Sequence, residues 1–205
     1  MLLRRLVQLY AGLVLYGFSM ALMIEAALGL NPWDVLHAGL AARVPLTFGQ
    51  VTIAVGAVVL LAWIPLRQRP GFGTVSNVVV IGLAVDASLA LLPAPDSLPI
   101  RAGWLAAGIV LNAVATAAYI GARLGPGPRD GLMTGLVMRT GGSVRLVRTL
   151  LEVSVLTTGW LLGGTVGVGT VAYALAIGPL VHVLLPRFTV PEAVPATARP
   201  APAPA

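Results

Sequence analysis

Apolar and polar residues fall in blocks along this chain. Long apolar runs are broken by short joints that carry Arg, Pro or Gly. A helix needs about 20 apolar residues, at about 1.5 Å each, to cross a bilayer. The blocks predict six crossing helices, at Leu6–Ala27, Val51–Leu66, Thr74–Leu92, Ala102–Ala122, Val147–Leu162 and Thr170–Leu185. Two shorter segments, Asp34–Val44 and Asp130–Thr140, follow the first and fourth of these. Each is too short to cross, and each follows a Gly-x-x-Pro-x-Asp turn. Pro presets the backbone and Asp favours a helix N-cap, so each segment is expected to be a short helix at or entering the membrane surface. A non-helical lead-in at membrane depth would need protein or water around it.

The blocks also repeat. GLNPWDVLHAGL starts at Gly29 and GPGPRDGLMTGL at Gly125, a spacing of 96. The same spacing carries Gly71-Phe72-Gly73-Thr74-Val75 onto Gly167-Val168-Gly169-Thr170-Val171, Ile81-Gly82 onto Ile177-Gly178, and Arg43 onto Arg139. No gap is needed. Three spans per copy, an odd number, put the second copy upside down relative to the first. The first span resembles a signal peptide, but its counterpart lies mid-chain, so it is expected to be retained.

Arg placement gives the same answer by a separate route. With Arg4 and Arg5 in the cytoplasm, six spans leave only Arg43 and Arg101 outside. That bias follows the positive-inside rule and places both termini in the cytoplasm. The expected architecture is therefore an all-α polytopic membrane protein. Six helices form two inverted three-helix repeats, each with a short extra helix after its first span. Residues 1–100 hold the first repeat and its connecting loop, 101–185 the second, and 186–205 a disordered Pro/Ala-rich cytoplasmic tail.

Composition narrows the function. The chain is 58% hydrophobic and 10% charged, as a bilayer protein would be. All cations are Arg and are scattered at segment ends; no basic stripe with aromatic residues suggests nucleic acid. There is no Cys and only two His. Thiol nucleophiles and thiolate metal sites are excluded, and no metal, cofactor or catalytic set is expected.

The turns at Gly29 and Gly125, with the joints WIPLRQRPGFGT and GWLLGGTVGVGT, resemble the YczE/YyaS/YitT-type bacterial integral membrane proteins, closest to the YczE-like branch. The resemblance covers nearly all of the chain except the tail. Asn31 departs from it, standing where Gly is more usual. It implies a multi-span membrane protein and no established catalytic residues.

Four sets of polar residues are candidates. Asp34 and Asp130 are equivalent and would either gate a ligand site or cap their own helices, capping being the plainer reading. Asp86 and His182 are also equivalent. Each lies about 18 Å along its span, which puts both near the midplane of a core about 30 Å thick. Intramembrane charge is costly, so they are candidates for a substrate or proton-linked pair; the plainer reading is two unrelated polar residues. Arg145, Arg148 and Glu152 share a helix face and would form a cytoplasmic polar cluster or a simple i,i+4 pair. Asn77, Asn112, Tyr119 and Tyr173 are expected to bond between helices. Trp33, Trp63, Trp104 and Trp160 are expected at the membrane interface.

The leading expectation is a permease of the cytoplasmic membrane for a small solute or ion, with its site between inverted repeats. The alternative is an accessory or regulatory protein that binds a membrane protein partner. An intramembrane enzyme is disfavoured by the missing nucleophile and ligand sets.

Overall fold

The computed structural model describes residues 2–191. Eight helices and no strands form among them: α1 (Leu2–Ala26), α2 (Pro32–Ala41), α3 (Phe48–Trp63), α4 (Phe72–Leu89), α5 (Leu98–Gly121), α6 (Pro128–Thr140), α7 (Val144–Leu161) and α8 (Val168–Phe188). Each helix from α5 to α8 starts 96 residues after its counterpart from α1 to α4. Left-handed backbone recurs at the same spacing, at Ala27 and Arg123, Gly29 and Gly125, and Arg67 and Gly163.

Local chemistry sets these boundaries. Pro32 and Pro128 open α2 and α6, where a missing N–H costs nothing. Thr47 and Gln50 form a reciprocal capping box on α3. Ser143 caps α7 through Leu146 N. Gly141 ends α6 in the left-handed region at φ 68°.

The packing is reciprocal. α1 and α5 run together at the centre; α4 lies on α1 and α8 on α5. The short helices cross over: α2 packs on α7, and α6 on α3. The turns lock the same way. Gly73 N donates to Leu124 O at 2.7 Å, and Gly169 N donates to Leu28 O at 2.7 Å. Arg43 Nε donates to Leu162 O at 3.2 Å, and Arg139 Nη1 to Pro65 O at 2.9 Å. The Gly-x-Gly joints thus let each half hold the turn of the other.

One packing relation is not shared. α3 packs closely on α4, but α7 has no comparable contact with α8. Gly49 and Gly82 make the α3–α4 crossing; a methyl on Gly82 would meet Ile53 Cγ1 at 2.5 Å and Gly49 O at 2.6 Å. The equivalent places hold Arg145 and Gly178, and Gly178 has open space beside it.

Four helices, α1, α4, α5 and α8, are long and apolar enough to cross a membrane. α3 is apolar but has 16 residues. α7 has 18 residues, among them Arg145, Arg148 and Glu152. Large apolar side chains such as Val7, Leu83, Val110 and Leu175 point outward. An integral membrane protein places such a face against lipid.

Three expectations change. α8 continues through Pro186 to Phe188, and Val190 N bonds Gly121 O at 3.0 Å, so ordered chain extends past the expected boundary at 186. The rest of the expected tail, 192–205, lies outside the described residues. Trp33 and Trp63 are not interface anchors. Trp63 is 1% exposed and its Nε1 donates to Pro128 O at 3.0 Å; Trp33 is buried beside it. A buried indole N–H usually finds a partner, and that of Trp63 does.

Candidate functional site

Two cavities flank the α1–α5 pair, and their walls are equivalent. The smaller, about 70 Å³, is lined by Asp34, Thr52, Val55, Asn77 and Ile81 among others. The larger, about 360 Å³, is lined by Asp130, Arg148, Leu151, Tyr173 and Ile177 among others. Each residue of the second set stands 96 positions after its partner in the first. Three residues, Trp33, Tyr119 and Arg129, line both cavities. Trp33 and Arg129 are themselves equivalent, so the dividing wall is built from the same place in each half.

Arg129 is the charged member of that wall. It sits in the first turn of α6, just after Pro128. One guanidinium nitrogen donates to the Tyr16 hydroxyl, and its Cζ lies 5.9 Å from the centroid of the Tyr16 ring. That distance is within cation–π range. Among the described residues, no carboxylate lies within ion-pair distance of it.

The two Asp residues beside the wall are otherwise engaged. Asp34 accepts from the Asn31 amide and lies 3.3 Å from His37 Nδ1. Asp130 accepts from Tyr119 OH at 3.2 Å. Neither Asp is an N-cap, contrary to the capping expectation. Asn31 caps α2, accepting from Trp33 N and Asp34 N at 3.1 Å each, and Gly127 occupies the cap position of α6. Pro at the first helical position moves Asp two residues further in, to where it faces the dipole and the core instead.

The remaining polar residues form an inner strut. Tyr173 OH donates to Asn112 Oδ1 at 2.9 Å, Asn112 Nδ2 to Ser19 Oγ at 2.9 Å, and Ser19 Oγ to Tyr16 O at 2.6 Å. This chain joins α8, α5 and α1 beneath the wall.

Asp86 and His182 do not meet. Asp86 accepts from Thr47 Oγ1 and from Gly49 N, tying the start of α3 to α4. His182 lines the larger cavity from α8. The places equivalent to Thr47 and Gly49 hold Ser143 and Arg145, and the corresponding tie is not formed. Arg148 and Glu152 form an ion pair of 3.1 Å and both line the larger cavity; Arg145 does not.

The profile of a family described as "Family of unknown function (DUF6198)" matches residues 3–186. The chain belongs to this family. An uncharacterized protein of Haemophilus influenzae is 39% identical over 173 residues, covering 84% of this chain and 79% of that one. The uncharacterized membrane protein YczE of Bacillus subtilis is 35% identical over 187 residues, covering 90% and 85%. The uncharacterized protein YyaS of the same organism is 25% identical over 179 residues, covering 85% and 89%. No solved structure matches the chain. The chain is thus a YczE-like integral membrane protein.

Sequence reasoning passed over Arg129 and His37. Arg129 was one of many Arg residues that fit the positive-inside pattern. Its alignment with Trp33 was the signal that set it apart. His37 stands three residues after Asp34, a spacing that puts both on one helix face.

Proposed function

We propose that this protein is a permease of the cytoplasmic membrane for a small solute, in which two inverted three-span halves expose their cavities in turn. The observation that carries the reading is the pair of equivalent but unequal cavities, about 70 and 360 Å³, divided by one wall. Inverted halves would open them to opposite faces. α3 and α7 then cross with the four longer helices, and both termini are cytoplasmic. The α3–α4 contact closes the first half, and the α7–α8 gap opens the second. No catalytic step is assigned.

The chain has no Cys, so a single introduced thiol reports cleanly. Val55→Cys and Leu151→Cys place thiols at equivalent points in the two cavities. Impermeant maleimide should label Leu151→Cys quickly from one face of oriented vesicles and Val55→Cys slowly from the other. Labelling of both from the same face would sink the inverted arrangement.

A second reading has one specific observation behind it. Arg145 stands where Gly49 permits the tight α3–α4 crossing, which disfavours an equally tight α7–α8 crossing in the second half. An accessory protein would use that fixed gap to receive a helix of a membrane protein partner. It predicts that Val55→Cys stays unlabelled from either face.

A further inference from the structure

We propose that Arg129 anchors a small monocarboxylate whose apolar body lies in the larger cavity. The inference deepens the permease reading and rests on it for treating the cavity as a substrate site. A guanidinium carries five N–H donors and no acceptor. The Tyr16 hydroxyl takes one, and no described carboxylate pairs with the group. Arg129 is half-buried and lines the cavity, and an anion there would accept its remaining donors.

The neighbouring charges narrow the anion. Asp130 is bonded to Tyr119, Asp34 to Asn31 and His37, and Arg148 to Glu152. Arg129 is therefore the one cation in the dividing wall, and Asp130 and Glu152 share the larger cavity with it. Arg148 offsets the charge of Glu152, and the charge of Asp130 beside Arg129 opposes a dianion such as phosphate more than a monoanion. A carboxylate also fits the planar fork in two-point fashion, which a halide cannot.

The rest of the cavity describes the body of the ligand. Met133, Leu151, Ile177, Val181 and Leu185 make one apolar side. At about 360 Å³ the space is within the range of small-molecule sites. Trp33, in the wall beside Arg129, offers a flat surface to a ring or a short alkyl chain.

The test is calorimetric titration of the purified full chain in detergent. Acetate, butyrate and benzoate are each compared with the neutral amide. Saturable binding of butyrate or benzoate is expected, with at least tenfold weaker binding of the amide. Arg129→Gln should weaken carboxylate binding at least tenfold, and Arg145→Gln, outside the cavity, should leave it within twofold. Equal binding of acid and amide, unchanged binding by Arg129→Gln, or no saturable binding of any carboxylate would overturn the assignment. If Arg129→Gln does not fold, the acid–amide comparison on the unaltered chain decides alone. Failure here is separable from failure of the permease reading. Cavities that open to opposite faces without carboxylate binding remove only this assignment, and binding without opposite-face labelling removes only the permease.

Discussion

Trp33 and Arg129 occupy one place in the two halves, and both face both cavities. Duplication supplied the place; divergence supplied an indole on one side and a guanidinium on the other. The indole fills space, and the guanidinium holds charge. A wall of this kind keeps two cavities apart while giving each a view of the same cation.

Asp86 ties the start of α3 to α4, and in the proposed permease that tie is the latch of the first half. Asp86→Asn keeps one acceptor oxygen but removes the charge that both Thr47 and Gly49 N bond. A hydrogen bond to a charged group contributes about 1.5–3 kcal/mol. In vesicles, Asp86→Asn should raise the labelling rate of Val55→Cys. An unchanged rate would show that the tie does not hold the first half shut.

Gly82 and Gly178 are equivalent in sequence and opposite in surroundings. Gly82→Ala forces a methyl against Ile53 and Gly49 O, and overpacking of this kind costs about 1–3 kcal/mol. Gly178→Ala meets no atom beyond its chain neighbours, and its gain in helix propensity is offset by the restriction on a residue before Pro179. Thermal unfolding in detergent should therefore fall for the first and hold for the second. Matching losses would mean that α7 and α8 pack as α3 and α4 do.

The Asn112 strut should be sensitive to loss of its amide. Asn112→Leu leaves Tyr173 OH and Ser19 Oγ without their partner in a buried place. Each interhelical bond in a membrane protein contributes about 0.6 kcal/mol, up to about 1.7. A loss of about 1–3 kcal/mol in denaturant unfolding is expected, and Asn112→Gln should recover part of it. No loss would show the strut to be dispensable.

Asn31 does two jobs, and substitutions separate them. Ser caps a helix about as well as Asn, so Asn31→Ser should cost little at the cap. Asp caps as well, yet Asn31→Asp replaces the donor to Asp34 with a second carboxylate. Unfolding measurements at neutral pH should show Asn31→Asp as the less stable of the two. The reverse order would remove the Asn31–Asp34 bond from the account.

Much of this was legible in the chain. The spacing of 96 relates every helix start of the second half to one in the first, because turn and cap residues repeat with it, although the starts lie two to four residues before those expected from the apolar runs. The Asp86–His182 pairing was less accessible to sequence. Depth along a helix follows from residue count, but lateral position follows from packing, and equivalent residues of two related halves meet only near the axis between them. Asp86 instead serves α3, and His182 faces the larger cavity. Trp63 was hidden for a similar reason. Its distance from the span end suggested an anchor, while Gly131 of the other half makes the slot that buries its ring.

The central claim is that the two halves exchange open and closed states. Spin labels at Ala54 and Val79, and separately at Leu150 and Leu175, occupy equivalent exposed places on α3–α4 and α7–α8. Pulsed electron resonance in a bilayer should give two distances for each pair. Asp86→Asn should shift weight toward the longer α3–α4 distance and the shorter α7–α8 distance together. A single fixed distance for each pair, unmoved by Asp86→Asn, would contradict the account.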